Sequence, residues 1–240
     1  SRFTKTPIVQ MQSGIFLVNK DKGISSNKAI QKLKKKLDIH KIGHFGTLDP
    51  NASGLLVCAI NKATKLSDKF LNSDKGYIAE VTLGISTSTD DSEGEIIFQS
   101  EVETSIDQIE SSLKQFRGKS MQIPPFFSAL KHKGKPLYKY ARDGEFITKP
   151  AREINVHEIK DFKACLPTIT FMIFCSKGTY IRSIARDLGE SLGCGGHLSG
   201  LKRVLQGPFS LKNASTLDDL NWNHLIHLEE IQQFYWAKVV

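Results

Sequence analysis

The sequence predicts an α+β fold in which a mixed, mostly antiparallel sheet is flanked by helices, and three observations lead there. Short apolar or β-branched runs bounded by Gly, Pro or polar clusters read as strands at residues 14–20 (GIFLVNK), 54–60 (GLLVCAI), 77–84 (YIAEVTLG) and 168–175 (TITFMIFC). Segments with helical spacing interrupt these strands irregularly, which is the pattern of α+β proteins. A chain of 240 residues, 40% hydrophobic and 24% charged, is long enough to bury a full core, as one large domain or two small ones.

In chain order, the first strand is followed by SSNKAIQKLKKKLDIHKIG, where Ser25 or Ser26 offers an N-cap and Ile30, Leu33 and Leu37 recur at helical spacing. Gly43 is the expected stop of that pattern. A Gly-rich loop leads into the strand at 54–60, and the strand at 77–84 follows. Ser105 and Gln108 form a capping-box pair ahead of Ile106, Ile109, Leu113 and Phe116, so residues 105–116 read as a helix. The stretch KHKGKPLYKYARDGEFITKPAR is expected to be strand or loop. After the strand at 168–175, Ile181, Ile184, Leu188 and Leu192 mark a helix over 180–192 that ends at Gly193. The expected organisation is an N-terminal extension over 1–13, a main domain over 14–212 and a C-terminal tail over 213–240.

Several function classes are excluded by composition. The chain contains no apolar run of about 18 residues and begins with no apolar run of signal-peptide length, so no membrane partner is expected and a cytoplasmic location is. Cys58, Cys165, Cys175 and Cys194 show no CxxC pairing, and thiols in contexts such as LLVCAI and FMIFC read as small core residues. His224 and His227 lack acidic companions and read as a fortuitous surface pair, so no metal site is expected.

Charge is more informative. The net charge is +8, and residues 1–41 alone carry ten Lys/Arg against Asp21 and Asp38, so the remaining 23 basic and 23 acidic side chains cancel. Lys28, Lys32, Lys35 and Lys36 share the polar face of the first helix. A cationic stripe holding the protein's whole net charge favours a polyanion, because Lys/Arg contacts to phosphates release counterions. A second basic stretch holds seven Lys/Arg between Lys131 and Arg152, Lys131 and Lys133 among them, interleaved with Tyr138 and Tyr140. That mixture suits RNA, whose bases stack on aromatic faces while cations hold the backbone. Between the two, Asp90 to Glu110 holds eight acidic residues and no basic one, and is expected to face away from phosphate.

The segment GHFGTLDPNASGLL, residues 43–56, stands apart. Its glycines and Pro50 enforce a tightly turned loop that presents one carboxylate, Asp49, directly before the proline. An Asx turn is one reading of Asp49. A phosphate cradle is disfavoured, since neither GxxxxGK[ST] nor GxGxxG is present.

The loop resembles the active-site loop of the TruB family of pseudouridine synthases, which isomerise the T-loop uridine of tRNA, nucleotide 55 in tRNA numbering. The resemblance continues in order through LVNKDKGISSN, ATKLSDKF, KGYIAEVTLG, GISTSTDDSEGE, QIPPFFSALKHKGKPLYKYARDGE, CSKGTYIRSIARDLGESLG and HLSGLKRVLQGPF, covering residues 14–210 or so. It implies the pseudouridine synthase fold, a tRNA T-arm partner and no cofactor, because the base detaches at N1 and reattaches through C5 without redox change. It makes Asp49 the catalytic aspartate, Tyr77 the ring that stacks on the target base and Arg182 the cation paired with the carboxylate. A guanidinium at contact distance favours the ionised form that a nucleophile needs. Attack at ribose C1′, attack at uracil C6 and a glycal route all remain open for Asp49. His44 is implied to fill the space left by the flipped base, an extrusion that costs a few kcal/mol. Lys20 and Lys65 match positions near pocket and backbone, Tyr180 lies beside Arg182, and Leu201 matches an apolar wall.

The chain departs from the family pattern at Phe45, Ser88, Phe127 and Lys202, where Thr, an acidic residue, Tyr and Arg are usual. Those positions bear on loop shape and RNA contacts and leave the aspartate, tyrosine and arginine in place. Only about thirty residues follow PFSL, fewer than the roughly 50 of a small domain, so the C-terminal PUA domain of many bacterial relatives is expected to be absent or truncated. A monomer is expected. Two other functions fit the same residues: a tRNA-folding chaperone on this scaffold, and isomerisation of a uridine in another RNA.

Overall fold

A computed structural model describes residues 12–127, 131–145 and 147–235; most of the expected N-terminal extension and the last five residues lie outside them. In chain order the elements are β1 (Gly14–Lys20), α1 (Ser26–Leu37), β2 (Ile42–His44), β3 (Ser53–Ile60), a 3-10 turn (Asn61–Leu66) running into α2 (Ser67–Leu71), β4 (Lys75–Leu83), β5 (Ile85–Thr87), β6 (Ile96–Gln99), α3 (Ile106–Lys114) and β7 (Gly118–Gln122). There follow β8 (Lys131–His132), β9 (Lys135–Pro136), α4 (Leu137–Arg142), β10 (Arg152–Cys165), β11 (Thr168–Cys175), α5 (Ile181–Ser191), β12 (Gly196–Gln206), β13 (Phe209–Ser210), β14 (Ile226–His227) and α6 (Leu228–Glu230). The chain divides into two compact units, Ser1–Tyr77 with Lys202–Val240, and Ile78–Leu201.

In the first unit β1 pairs antiparallel with β3 along its whole length, from Gly14↔Ile60 to Lys20↔Gly54. On the other side of β3 lie β2, antiparallel, and the end of β12, parallel through Lys202↔Ser53 and Arg203↔Gly54. Residues 213–235 continue this unit. Ser215 exchanges backbone hydrogen bonds with Asn19 and Leu17, and β14 pairs with the start of β1. Both faces of β3 are buried, which explains its continuous apolar run. The core gathers Leu17, Leu55, Val57, Phe45, Phe70 and Phe209; Phe70 stacks on Phe45 at 5.3 Å and tilts against Phe209 at 5.2 Å.

In the second unit β10, β11 and β7 are antiparallel neighbours, and β4 lies beside β11. β11 alternates buried and half-buried residues with a strand's period of two. Helix α3 packs on α5 and on β10. Gly189 lets α5 approach the chain closely, because a Cβ there would lie 2.2 Å from the Gly196 nitrogen. The strands are thus mixed and mostly antiparallel, with helices flanking them. No described helix is long and apolar enough to cross a membrane.

Two local expectations are corrected. Helix α1 does not run to Gly43: it stops at Leu37, with Asp38 in the left-handed region at φ 52°, and Gly43 sits within β2. A short Asp side chain tolerates that conformation, and Ile39 beyond it is buried. The basic Tyr-bearing stretch begins as a tight hairpin of β8 and β9, in keeping with strand and loop, but Leu137–Arg142 form a helix that was not expected. Lys133 and Gly134, both at positive φ, turn the chain between β8 and β9, and Leu137 and Ala141 bury one side of α4. Tyr138 and Tyr140 therefore ride on a helix. The Tyr140 hydroxyl donates to the His132 carbonyl at 2.8 Å, and Lys135 Nζ lies 4.4 Å from that ring's centroid. The Arg142 guanidinium is 5.3 Å from the Tyr138 ring.

Phe70 is fully buried between two rings, so Phe70→Ala is expected to lower unfolding free energy by about 3–5 kcal/mol in urea, and Phe70→Leu by clearly less.

Candidate active site

The loop between β2 and β3 carries its carboxylate on a buried frame. Asp49 and Pro50 are exposed, while Phe45, Leu48 and Ala52 around them are buried. Leu48 is held twice by Ser26: its carbonyl accepts from the hydroxyl at 2.9 Å and its N–H donates back at 2.8 Å. The Asp49 carbonyl accepts from the Ala52 N–H at 2.9 Å, closing the turn, and the Pro50 carbonyl accepts from the Gly23 N–H at 2.7 Å. Gly46 at φ 110° and Gly54 at φ 100° supply backbone that other residues rarely adopt. At Gly54 a Cβ would also meet the Arg203 carbonyl at 2.3 Å, so the exit of the loop can lie against β12 only with glycine there.

Lys20 lies beneath the loop, its side chain buried. Its ammonium donates to the carbonyls of Ile24 at 2.6 Å, Asp21 at 2.8 Å and Pro50 at 3.4 Å. Burial lowers its pKa; the negative charges of Asp21 and Asp49 oppose that shift, and Arg203 adds to it. His44, at the end of β2, is half-buried. Burial first, then the positive charge of Arg203, lower its pKa from the ordinary imidazole value, so the ring is neutral at pH 7. Tyr77 is buried on β4, 8% exposed, and Lys65 is exposed on the 3-10 turn after β3.

Sequence reasoning missed the residue that ties this loop together. Arg203 on β12 is 2% exposed; its Nε donates to the Leu55 carbonyl and its Nη2 to the Gly46 carbonyl, both at 2.9 Å. Gln206 adds a bond from its amide to the Phe45 carbonyl. The signal was there in GLKRVLQ, where an arginine and a glutamine stand in an otherwise apolar strand.

In the second unit, Arg182 opens helix α5 and is 9% exposed; its Nη1 donates to the carbonyls of Phe127 at 2.7 Å and Thr89 at 3.3 Å. Tyr180, the residue before the helix, is clamped by Gln122: the Tyr180 N–H donates to Oε1 at 2.8 Å and Nε2 donates to the Tyr180 carbonyl at 3.1 Å. The guanidiniums of Arg152 and Arg182 lie 5.6 Å and 6.0 Å from the Tyr180 ring. Leu201 is half-buried on β12. Asp90, at φ 63°, faces Arg186 one helical turn beyond Arg182, with Nη1 3.3 Å from its carboxylate. Burial pushes Asp90 up to about 6, against the pull of Arg186 and Arg182.

Lys28, Lys32, Lys35 and Lys36 of α1 are all exposed, and Lys36 also donates to the carbonyls of Leu217 and Asp218. Lys133 is exposed in the turn after β8, and Lys131 pairs with Pro136 in the hairpin. Cys58, Cys175 and Cys194 are buried, and His224 takes the Asn221 N–H on its Nδ1 to cap a 3-10 turn.

Comparison with known proteins adds an independent line. Residues 34–181 match the model of the TruB family pseudouridylate synthase N-terminal domain, and residues 182–239 match that of the tRNA pseudouridylate synthase B C-terminal domain. The chain is 47% identical over 210 residues to a tRNA pseudouridine synthase B of Francisella philomiragia, covering 87% of this chain and 70% of that protein. A tRNA pseudouridine synthase B of Pseudomonas aeruginosa is 43% identical over 212 residues, covering 88% and 70%. Among solved structures, a chain of a Cbf5–Nop10–Gar1 complex superimposes with TM-score 0.69 at 31% identity, covering 90% of this chain and 56% of its own. A chain of an H/ACA RNP bound to a substrate RNA containing 2′-deoxyuridine gives TM-score 0.66 at 28% identity, with 90% and 55% covered. The chain thus spans a little over half the length of those two structures.

A carboxyl ¹³C titration is expected to show Asp90 with a midpoint near 6. Arg186→Gln moves that midpoint upward, because it removes a charge that favours the carboxylate; an unmoved midpoint would refute the ion pair.

Proposed function

The chain belongs to the TruB family of pseudouridine synthases, and from that premise we propose that it converts uridine 55 in the T loop of tRNA to pseudouridine. The C1′–N1 bond breaks, the base turns, and a C1′–C5 bond forms; C5 gives up its hydrogen and N1 takes one, so composition and oxidation state are unchanged.

The observation that carries this reading is the placement of Asp49, an exposed carboxylate at the tip of a loop tied down on both sides. A reacting group gains from such a frame because its approach to the sugar or base is settled before substrate arrives. Tyr77 is the ring proposed to stack on the uracil, and Arg182 is retained as a reaction residue on the strength of the GTYIR motif. His44, neutral and planar, suits stacking in the gap left by an extruded base. The exposed lysines Lys28, Lys32 and Lys35 are proposed to hold RNA backbone, with Lys65 and Lys133 as further cations.

Tritium release from a T-arm transcript labelled at uridine C5 tests the chemistry. The parent is expected to release label, and Asp49→Asn to slow release by at least ~10³-fold with RNA binding kept. Binding without release by the parent overturns the reading and favours a folding chaperone or another target. Release that is unaffected by Tyr77→Phe would remove any proton-transfer role from that hydroxyl. Replacing Lys28, Lys32 and Lys35 by Ala is expected to flatten the log K against log[salt] slope by about 0.7–0.9 for each phosphate that is no longer neutralised, and an unchanged slope would place the RNA elsewhere.

A further inference from the structure

We propose that Arg186 is a positioning residue: it holds the two backbone segments whose carbonyls orient the Arg182 guanidinium. The inference rests on the reading above that Arg182 serves the isomerisation.

Arg182 and Arg186 are one turn apart on α5 and point along the same side of the helix. Arg182 donates to two carbonyls from separate segments, Thr89 before β6 and Phe127 after β7. Arg186 binds the same two segments. Its Nη1 meets the carboxylate of Asp90, the residue after Thr89, at 3.3 Å, and its Nη2 donates to the carbonyl of Ile123 at 2.9 Å. Its Nε is kept in place by Asp187 at 3.0 Å. Further ties hold both segments near Arg186: Ser183 Oγ donates to the same Ile123 carbonyl at 2.9 Å, and the Leu198 N–H donates to the Asp90 carbonyl at 2.9 Å.

The consequence is geometric. Asp90 sits at positive φ, so its side-chain contact and the direction of the preceding Thr89 carbonyl are linked through one peptide. Letting go of the Asp90 carboxylate leaves that peptide held by the long 3.4 Å bond from the Asp90 N–H to the Thr87 carbonyl, so the Thr89 carbonyl is less closely directed at Arg182. A planar guanidinium fork can reach both segments at once, whereas an ammonium is a single point charge and engages one of them. A misdirected Arg182 fork would impair the reacting geometry while leaving the RNA-holding surfaces intact, which is the signature of a lower kcat at near-constant KM.

The experiment uses the full chain with C5-labelled tRNA. Arg186→Gln and Asp90→Asn are expected to lower kcat roughly 10–100-fold with KM changed by less than about 3-fold. Arg186→Lys, which keeps the charge and a near-parental Tm, is expected to recover only part of the rate. In an Arg182→Lys background the added Arg186→Gln should cost less than about 2-fold, since its effect passes through Arg182. An equal loss in both backgrounds, or full kcat in a folded Arg186→Lys protein, overturns the proposal. Guanidinium ¹⁵N–¹H signals of Arg182, expected sharp in the parent and exchange-broadened in Arg186→Gln, test the positioning without turnover. If the parent releases no tritium, the functional reading fails; unchanged Arg182 signals would defeat the positioning itself.

Discussion

A chain that turns as sharply as residues 43–56 leaves carbonyls at its entry and exit that need donors from elsewhere, one of them buried at Leu55 and one part-buried at Gly46. Arg203 answers that constraint. Its buried guanidinium takes the Gly46 carbonyl on the way in and the Leu55 carbonyl on the way out, closing the loop at its neck. Without a donor each of these groups would cost about 1–3 kcal/mol of desolvation. Lys20 performs a related task lower down, where its ammonium gathers three carbonyls, one of them from Pro50. Two buried cations are costly to desolvate, and the downward shift of the Lys20 pKa shows it. The return is a rigid neck beneath an exposed carboxylate, and a positive environment under Asp49.

The second unit solves a similar problem with arginines on a helix. Tyr180, Arg182, Ser183 and Arg186 all bond to the segment from Gln122 to Phe127, so the first turns of α5 and that segment are fastened at several points. Asp90 shows how burial and charge compete there. Two nearby guanidiniums favour its ionised form, yet desolvation outweighs them and lifts its pKa to about 6. The carboxylate is therefore held by a contact whose strength depends on its geometry, as a partly buried ion pair generally is.

Much of the fold was legible because periodicity is a local property. β1 and β11 begin and end where their apolar runs do, and Ser25 and Ser105 cap their helices through side-chain acceptance from the N–H of Lys28 and Gln108. The misreadings have physical causes. Gly43 looked like a helix stop, but Asp38 took the left-handed position five residues earlier. The Tyr-rich basic stretch has too few apolar residues to show a period; its helix declares itself only through Leu137 and Ala141, which need a surface to be buried against. Lys36 read as one of four equivalent lysines, while its carbonyl partners lie some 180 residues away in sequence.

The sequence by itself determined the residue types that make the chemistry available: a lone aspartate in a Gly- and Pro-bounded loop, a tyrosine opening a strand, an arginine opening a helix, and a cationic helix face. Those are properties of neighbours along the chain, set by backbone sterics and side-chain spacing. Only the tertiary structure decided that Lys20 is buried beneath the loop instead of lining open solvent, that Arg203 closes the loop's neck, and that Arg186 shares its partners with Arg182. Each of those facts depends on which distant carbonyl or carboxylate ends up within about 3 Å of a donor, a distance fixed by how strands and helices pack and carried by no local pattern of residues.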